Sequence, residues 1–263
     1  MAILIGPAGT SGLGYDAGLK KCKELGLNAL EVEFTYGVRM KNEEAKKIGE
    51  LAKELGICLS VHAPYYINLA SFEKPKIQAS IARILQSCER AHYLGANCVV
   101  FHPGFYQKRT KEETYGIIKS HLIELNNKIS ENKFKIELCL ETTGKSSAFG
   151  NLDELLRLNE EIKTSFCIDF AHLRARNNGN IDYGEIFGKL KQFNFIHSHF
   201  SGIEWTEKGE KRHIITKEKD IEELAQHILK NKMNITIINE SPDPFGDAVK
   251  TKEVFERRIK HKL

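Results

Sequence analysis

Eight short runs rich in β-branched and aromatic residues punctuate the chain, at 2–5, 29–34, 57–61, 98–101, 136–140, 165–168, 193–198 and 235–239. Runs of this kind, bounded by turn residues, predict β-strands. Between them lie longer stretches whose apolar positions recur every three or four residues. These predict helices over 16–25, 42–55, 75–94, 110–132, 151–162, 183–192, 218–231 and 248–260. Gly26, Gly56 and Gly95 stand where the first three helices should stop. Thr110 and Glu113 have capping-box spacing, and Asn42 is expected to cap the second helix, with Glu43 and Glu44 in its first turn. The segment after the seventh strand, with Lys208, Lys211, Arg212 and His213, reads as a long polar loop. Strict strand–helix alternation predicts a parallel sheet. Eight such units predict an α/β fold of the closed TIM (β/α)8 barrel type, one domain over residues 1–263.

Composition changes this picture little. A hydrophobic share of 41% and a charged share of 28% are ordinary for a globular chain, and 263 residues bury a core that needs no disulfide staples. None of the six cysteines belongs to a CxxC pair. Cys58, Cys98, Cys139 and Cys167 fall in apolar strands, where buried, reduced thiols are expected. The start, MAILIGPAG, is too short and uncharged for a signal peptide, and no apolar run approaches ~18 residues. The expectation is a cytoplasmic protein with no membrane span. A net charge of +4 does not by itself imply nucleic acid. Gly9, Gly12 and Gly14 match neither a P-loop nor a dinucleotide fingerprint.

The chemistry enters at the strand ends. Six strands run into a metal-type side chain: His62, His102, Glu141, Asp169, His199 and Glu240. Their separations of 28–41 residues are strand–helix unit lengths, not local motif spacings. Parallel barrel strands deliver their C-terminal ends to one face, so the six should converge. Histidine mixed with carboxylate suits Zn²⁺, Mn²⁺ or Fe²⁺ better than Mg²⁺ or Ca²⁺. Six ligands exceed the needs of one four-coordinate ion, so two or three ions are expected, with Glu141 bridging. Ions ~3.5–4 Å apart stabilise both the attacking and the leaving oxygen of a phosphoryl displacement, which favours phosphodiester hydrolysis. His172, three residues after Asp169, and His213 can join the same pocket. His197 shares strand parity with His199; His199 is expected as the ligand and His197 in the layer beneath it. His92, His121, His227 and His261 read as structural or surface residues.

The stretches VHAPYYINLAS, VFHPG, LETTG, CIDFAH, HSHFSG, the RH of KRH and INESP resemble the successive motifs of endonuclease IV, in order and at comparable spacing from about Leu4 to Pro244. That family comprises zinc-dependent apurinic/apyrimidinic endonucleases of DNA base-excision repair. The resemblance implies one zinc on His62, His102 and Glu141, a second on Glu141, Asp169, His199 and Glu240, and a third on His172 and His213, with Mn²⁺ as the alternative metal. It implies a monomer that cleaves damaged double-stranded DNA 5′ to an abasic site and leaves a 3′-hydroxyl, with Glu141 orienting the nucleophile as the catalytic residue. Tyr65, Tyr66 and Arg39 correspond to residues that insert into the duplex. Arg174 and Arg212, with Lys108, Arg109, Lys145, Arg176 and Lys208, fall in loops of the ligand face, where phosphate contacts belong.

One departure matters. The family's third-metal motif reads Asp-Arg-His, and this chain has Lys211-Arg212-His213. A lysine brings positive charge where a carboxylate ligand should be. Glu210 is adjacent, but a one-residue shift reverses side-chain direction on an extended segment. Two zinc ions are therefore expected and the third site impaired. The wider xylose-isomerase-like barrels share the quartet Glu141, Asp169, His199 and Glu240. A single-metal sugar isomerase or epimerase is thus the alternative, against which His62 and His102 count.

Overall fold

The computed structural model describes residues 1–260; His261 lies outside the described residues. Eight strands form one sheet: β1 (Ile3–Pro7), β2 (Ala29–Glu33), β3 (Cys58–His62), β4 (Cys98–Phe101), β5 (Glu137–Glu141), β6 (Ser165–Asp169), β7 (Ile196–Phe200) and β8 (Ile235–Asn239). Each ladder from β2 through β8 and back to β1 is parallel, so the order follows the chain. The seam between β1 and β2 is closed by a single parallel bridge, Ala8 to Glu31. Asn28 N–H donates to the Ile5 carbonyl at 3.1 Å, and Ile5 N–H donates to the Asn28 side chain at 2.7 Å. A Cβ on Gly6 would fall 1.8 Å from the Ala29 carbonyl oxygen. Glycine is what lets the first two strands approach and the barrel close.

The expected helices form, with ends that obey local chemistry. Thr110 and Glu113 make the expected capping box, and Asn151 with Glu154 makes another. Gly56 and Gly95 end their helices at φ 72° and 65°, the left-handed region glycine tolerates. Asn42 does not cap. Lys41 occupies that position, with no side-chain cap, because the Asn42 amide is engaged across to the next long helix, donating to Glu89 at 3.1 Å and accepting from Arg90.

Two elements differ from expectation. His172 sits on a short helix, Phe170–Arg176, rather than in a loop. The polar segment after β7 is an antiparallel hairpin, Gly202–Thr206 with Gly209–Ile214. Its second strand carries the consecutive charged residues Glu210, Lys211 and Arg212 and no apolar alternation, which hid the pair from a reading based on hydrophobicity. The main core lies between the outer barrel face and the helices. A small separate cluster of Cys98, Val100, Cys139 and Cys167 fills the barrel interior. Cys58 is the exception among the strand cysteines: it opens β3 and is exposed.

Candidate metal centre at the strand ends

The parallel register brings the strand-end residues together as expected. His62, Glu141 and Asp169 are the last residues of β3, β5 and β6; His199 is next to last in β7; His102 and Glu240 follow β4 and β8. Glu141, at 1% exposure, stands at the centre. Its Oε2 lies 3.1 Å from His62 Nε2 and 2.8 Å from His102 Nε2. Its Oε1 lies 3.0 Å from His172 Nδ1 and 3.4 Å from His199 Nδ1. The two oxygens of one carboxylate thus serve two sets of imidazoles. Backbone groups orient those rings: His62 Nδ1 meets the Ala63 carbonyl at 2.7 Å, and His172 Nδ1 meets the Thr142 carbonyl at 2.9 Å. Such partners fix ring orientation and tautomer at metal ligands. Asp169 divides its carboxylate, Oδ1 capping the His172 helix by accepting from His172 N–H at 2.6 Å.

The remaining atoms point into shared space. Glu141 Oε1, Asp169 Oδ2 and His199 Nδ1 are buried and make no hydrogen bond, although imidazoles or carboxylates lie within ion-pair distance. Buried polar atoms are normally satisfied, and ligand atoms around a cation point at a common centre instead of at each other. Three overlapping groups have ligand atoms mutually within 4.8 Å: His62, His102 and Glu141; Glu141, Asp169, His199 and Glu240; and Asp169, His172 and His213. The donor set and its geometry fit a cluster of cations.

Electrostatics makes the same demand. Burial alone would raise Glu141 and Glu240. The imidazoles of His102 and His199 around Glu141, and of His199 beside Glu240, hold Glu141 well below the usual carboxylate range and Glu240 at about 2. Burial prevails at Asp169, pushed up to about 6, and at Glu33, pushed up to about 8. Burial would lower His62, but its hydrogen bond to Glu141 and the charge of Glu33 raise it to about 10. His172 is likewise held well above the normal imidazole value, against burial, by Asp169, Glu141 and Glu210, and His199 by Cys167 and then Glu240, Glu31 and Glu141. The carboxylates keep protons on these rings. Bound cations would supply that positive charge and release the protons.

The hairpin changes the reading of Lys211. Ile203 pairs with His213 and Glu204 with Arg212, but Trp205 pairs with Glu210. Lys211 is therefore the extra residue of a β-bulge. Lys211 and Arg212 both turn outward to Glu204, at 3.2 and 2.8 Å. Beyond the bulge Glu210 returns to the inner face, with Oε2 3.5 Å from His172 Nε2, while His213 Nε2 stands 3.2 Å from that same nitrogen. Gly144 makes room: a Cβ there would lie 2.6 Å from the Glu210 Cβ. The expected reversal of Glu210 is thus corrected, because the segment is not regularly extended. A carboxylate faces the His172–His213 pair after all, one residue earlier than the motif places it.

The other anticipated residues divide. Tyr65 and Tyr66 are exposed at 60% and 61%, and Tyr65 lines the cavity of about 430 Å³ above Glu141. Arg39 is exposed on the loop after β2, and Lys108, Lys145 and Lys208 are exposed. Arg212 is exposed but paired with Glu204. Arg174 is half-buried and held by Asp220 at 3.0 Å and Glu223 at 3.6 Å. Arg176 donates to the carbonyls of Thr143, Lys145 and Ala148 and so pins the loop carrying Gly144. Arg109 lies 3.7 Å from the Phe72 ring centroid. Two acidic residues escaped the sequence reading. Glu31 and Glu33 of β2 face the barrel interior, and Glu33 lines the cavity. Their alternation in ALEVE looked like an ordinary half-exposed strand; in a closed barrel the polar half points inward.

The architecture is a parallel (β/α)8 barrel with a buried cluster of histidines and carboxylates, a candidate metal centre, at its strand ends. The profile of the xylose isomerase-like TIM barrel family matches residues 19–259, and the chain belongs to that family. It is 39% identical over 241 residues, 86% of each chain, to "Uncharacterized protein MJ0133" of Methanocaldococcus jannaschii. It is 37% identical over 156 residues to "Probable endonuclease 4" of Staphylococcus saprophyticus, covering 56% of this chain and 50% of that protein. Among solved structures, endonuclease IV from Thermus thermophilus superposes with a TM-score of 0.72 at 19% identity, covering 99% and 100% of the two chains. A D-tagatose 3-epimerase-like protein does so at 0.75 and 21% identity, covering 99% and 98%. The two structural likenesses concern the fold.

Proposed function

We propose that the chain is a metal-dependent phosphodiesterase of DNA repair that cleaves duplex DNA 5′ to an abasic site and leaves a 3′-hydroxyl. The observation that carries this reading is the convergence of His62 and His102 on Glu141 Oε2, beside the quartet completed by Asp169, His199 and Glu240. A one-metal isomerase has no use for that additional pair. The relatives named endonuclease 4 support the reading.

In this proposal His62, His102 and Glu141 would hold one zinc, Glu141, Asp169, His199 and Glu240 would hold a second, and His172 and His213, faced by Glu210, would hold a third. Bound zinc would lower the pKa of water and neutralise charge developing on the phosphate. Glu141 orients the attacking water from its central position. As the water oxygen bonds to phosphorus the P–O3′ bond breaks; the water gives up a proton to solvent, and the leaving 3′-oxygen takes one from solvent. The cavity of about 430 Å³ receives the phosphate and the extruded sugar. Tyr65 and Tyr66 stack against the bases beside the lesion. Arg39 and Arg212, with exposed Lys108, Lys145 and Lys208, meet the backbone. Arg174, already paired with Asp220, positions the His172 helix.

The test is incubation of zinc- or manganese-loaded protein with a duplex containing one tetrahydrofuran abasic analogue, and separately with ketohexoses. The expected product is a nicked strand whose 3′ end a polymerase extends. Epimerised sugar alongside an intact duplex would replace this reading with the isomerase one.

A further inference from the structure

One layer below the strand-end centre, deeper in the barrel, Cys167, His197 and His199 form a group, with the Glu31 carboxylate beside the two histidines. Glu31 Oε1 lies 2.8 Å from His199 Nε2, and Glu31 Oε2 lies 3.1 Å from His197 Nε2. Cys167 and His197 are direct partners across the β6–β7 ladder. The Cys167 sulfur and one nitrogen from each of His197 and His199 lie mutually within 4.8 Å. Glu31, Cys167 and His199 are all at 0% exposure. Neither Glu31 Oε1 nor His199 Nε2 makes a hydrogen bond, although only 2.8 Å separates them. The distance is that of a hydrogen bond and the direction is not. The two atoms aim beside each other, as ligands around a shared centre do.

The geometry points to a buried site for a zinc-type divalent cation, formed by Cys167, His197 and His199, one layer below the three ligand groups and joined to them through His199. The donor set is one thiolate and two imidazoles, with the Glu31 carboxylate beside the rings. It suits tetrahedral zinc or cobalt, and its sulfur excludes magnesium and calcium. The Cys167 thiolate and the neighbouring Glu31 carboxylate supply the negative charge that a buried divalent ion requires. Ser60 fixes the carboxylate by donating to Glu31 Oε2 at 2.6 Å. His199 is shared: its Nδ1 faces Glu240 at 3.2 Å above, and its Nε2 faces Glu31 below. Binding an ion at each nitrogen requires loss of the remaining ring proton, released to solvent with the thiol proton of Cys167. A cavity of about 590 Å³ at the opposite mouth of the barrel, lined by Cys98, Cys139 and His197, offers the ion a route in.

Chelated protein reloaded with Co²⁺ tests the site, since cobalt bound to a thiolate shows a near-ultraviolet charge-transfer band that nitrogen and oxygen ligands cannot give. The wild-type chain is expected to show the band and to bind one more ion, counted by mass spectrometry of the metals, than Cys167→Ser. His102→Ala should keep the band while losing an ion from the upper centre. The double variant Cys98→Ser/Cys139→Ser should also keep it. A folded, cobalt-loaded wild type without the band would overturn the proposal, and so would a band that disappears in the double variant and survives in Cys167→Ser. Neither result depends on whether the protein cuts DNA.

Discussion

The barrel strands and the hairpin deliver candidate ligands to the same pocket under different constraints. His62, Glu141 and Asp169 are held in ladders with strands on both sides. Slipping one of them by a residue would turn every side chain of its strand to the other face. The hairpin answers to one partner strand only. One extra residue, Lys211, is absorbed there as a bulge, and Glu210 still faces His172. Sequence position therefore determines ligand identity at the strand ends. At the hairpin, a carboxylate can move one place along the chain and keep its place in space.

The sharpest way to break this comparison is to remove a strand-end ligand. Glu141→Gln should lower the cleavage rate roughly 10³-fold, the scale of losing one group that stabilises transition-state charge, and no neighbouring residue should compensate. A next, smaller effect belongs to the hairpin. Glu210→Gln should cost about 10- to 100-fold, the range for a weakened metal environment, with one fewer ion per chain. Deleting Lys211 should leave the rate within about threefold, because removing a bulge residue leaves Glu210 on the inner face. Restored activity in a Glu210→Gln/Lys211→Asp double variant would show that Lys211 does reach the metals, and the bulge account would fail.

Smaller still is the aromatic rim. Tyr65→Ala or Tyr66→Ala should raise KM for the abasic duplex about tenfold, matching ~1–3 kcal/mol per lost stacking contact, with kcat little changed. An unchanged KM in both would remove these residues from the DNA interface. The smallest effect is thermal. His62 is raised to about 10 in the fold from ~6.5 unfolded. Its contribution is complete below ~6.5 and lost as pH rises through about 10. Glu33, raised to about 8 from ~4.3 unfolded, acts in the same direction and is lost earlier. The Tm of chelated protein should therefore fall by several degrees between about pH 6 and about pH 9. Metal-loaded protein should hold its Tm across that range. An unchanged Tm in the chelated protein would contradict the charge balance assigned to the centre.

Much of this molecule can be read from its amino-acid order, for reasons specific to each residue. Strands and helices were legible because their periods differ and glycines such as Gly56 and Gly95 end the helices. The convergence of the six strand-end side chains was legible because a parallel barrel converts a recurring sequence position into one face. Three features were not. Asn42 has capping chemistry, yet Glu89 and Arg90 on a distant helix claim its amide. Glu31 and Glu33 alternate like surface residues, and only barrel closure turns them inward. The hairpin's second strand lacks apolar alternation, and a bulge depends on the pairing of two strands, which neither strand's sequence alone reveals.

The central claim is that His62 and His102 turn a one-ion barrel into a multi-ion phosphodiesterase. The direct measurement is metal content per chain in the same preparation assayed on the abasic duplex, for wild type and for His62→Ala/His102→Ala. The account predicts at least two ions and extendable 3′ ends for wild type, and in the variant at least one ion fewer with cleavage lost. One ion per chain in wild type, with cleavage unaffected by the double substitution, would contradict it.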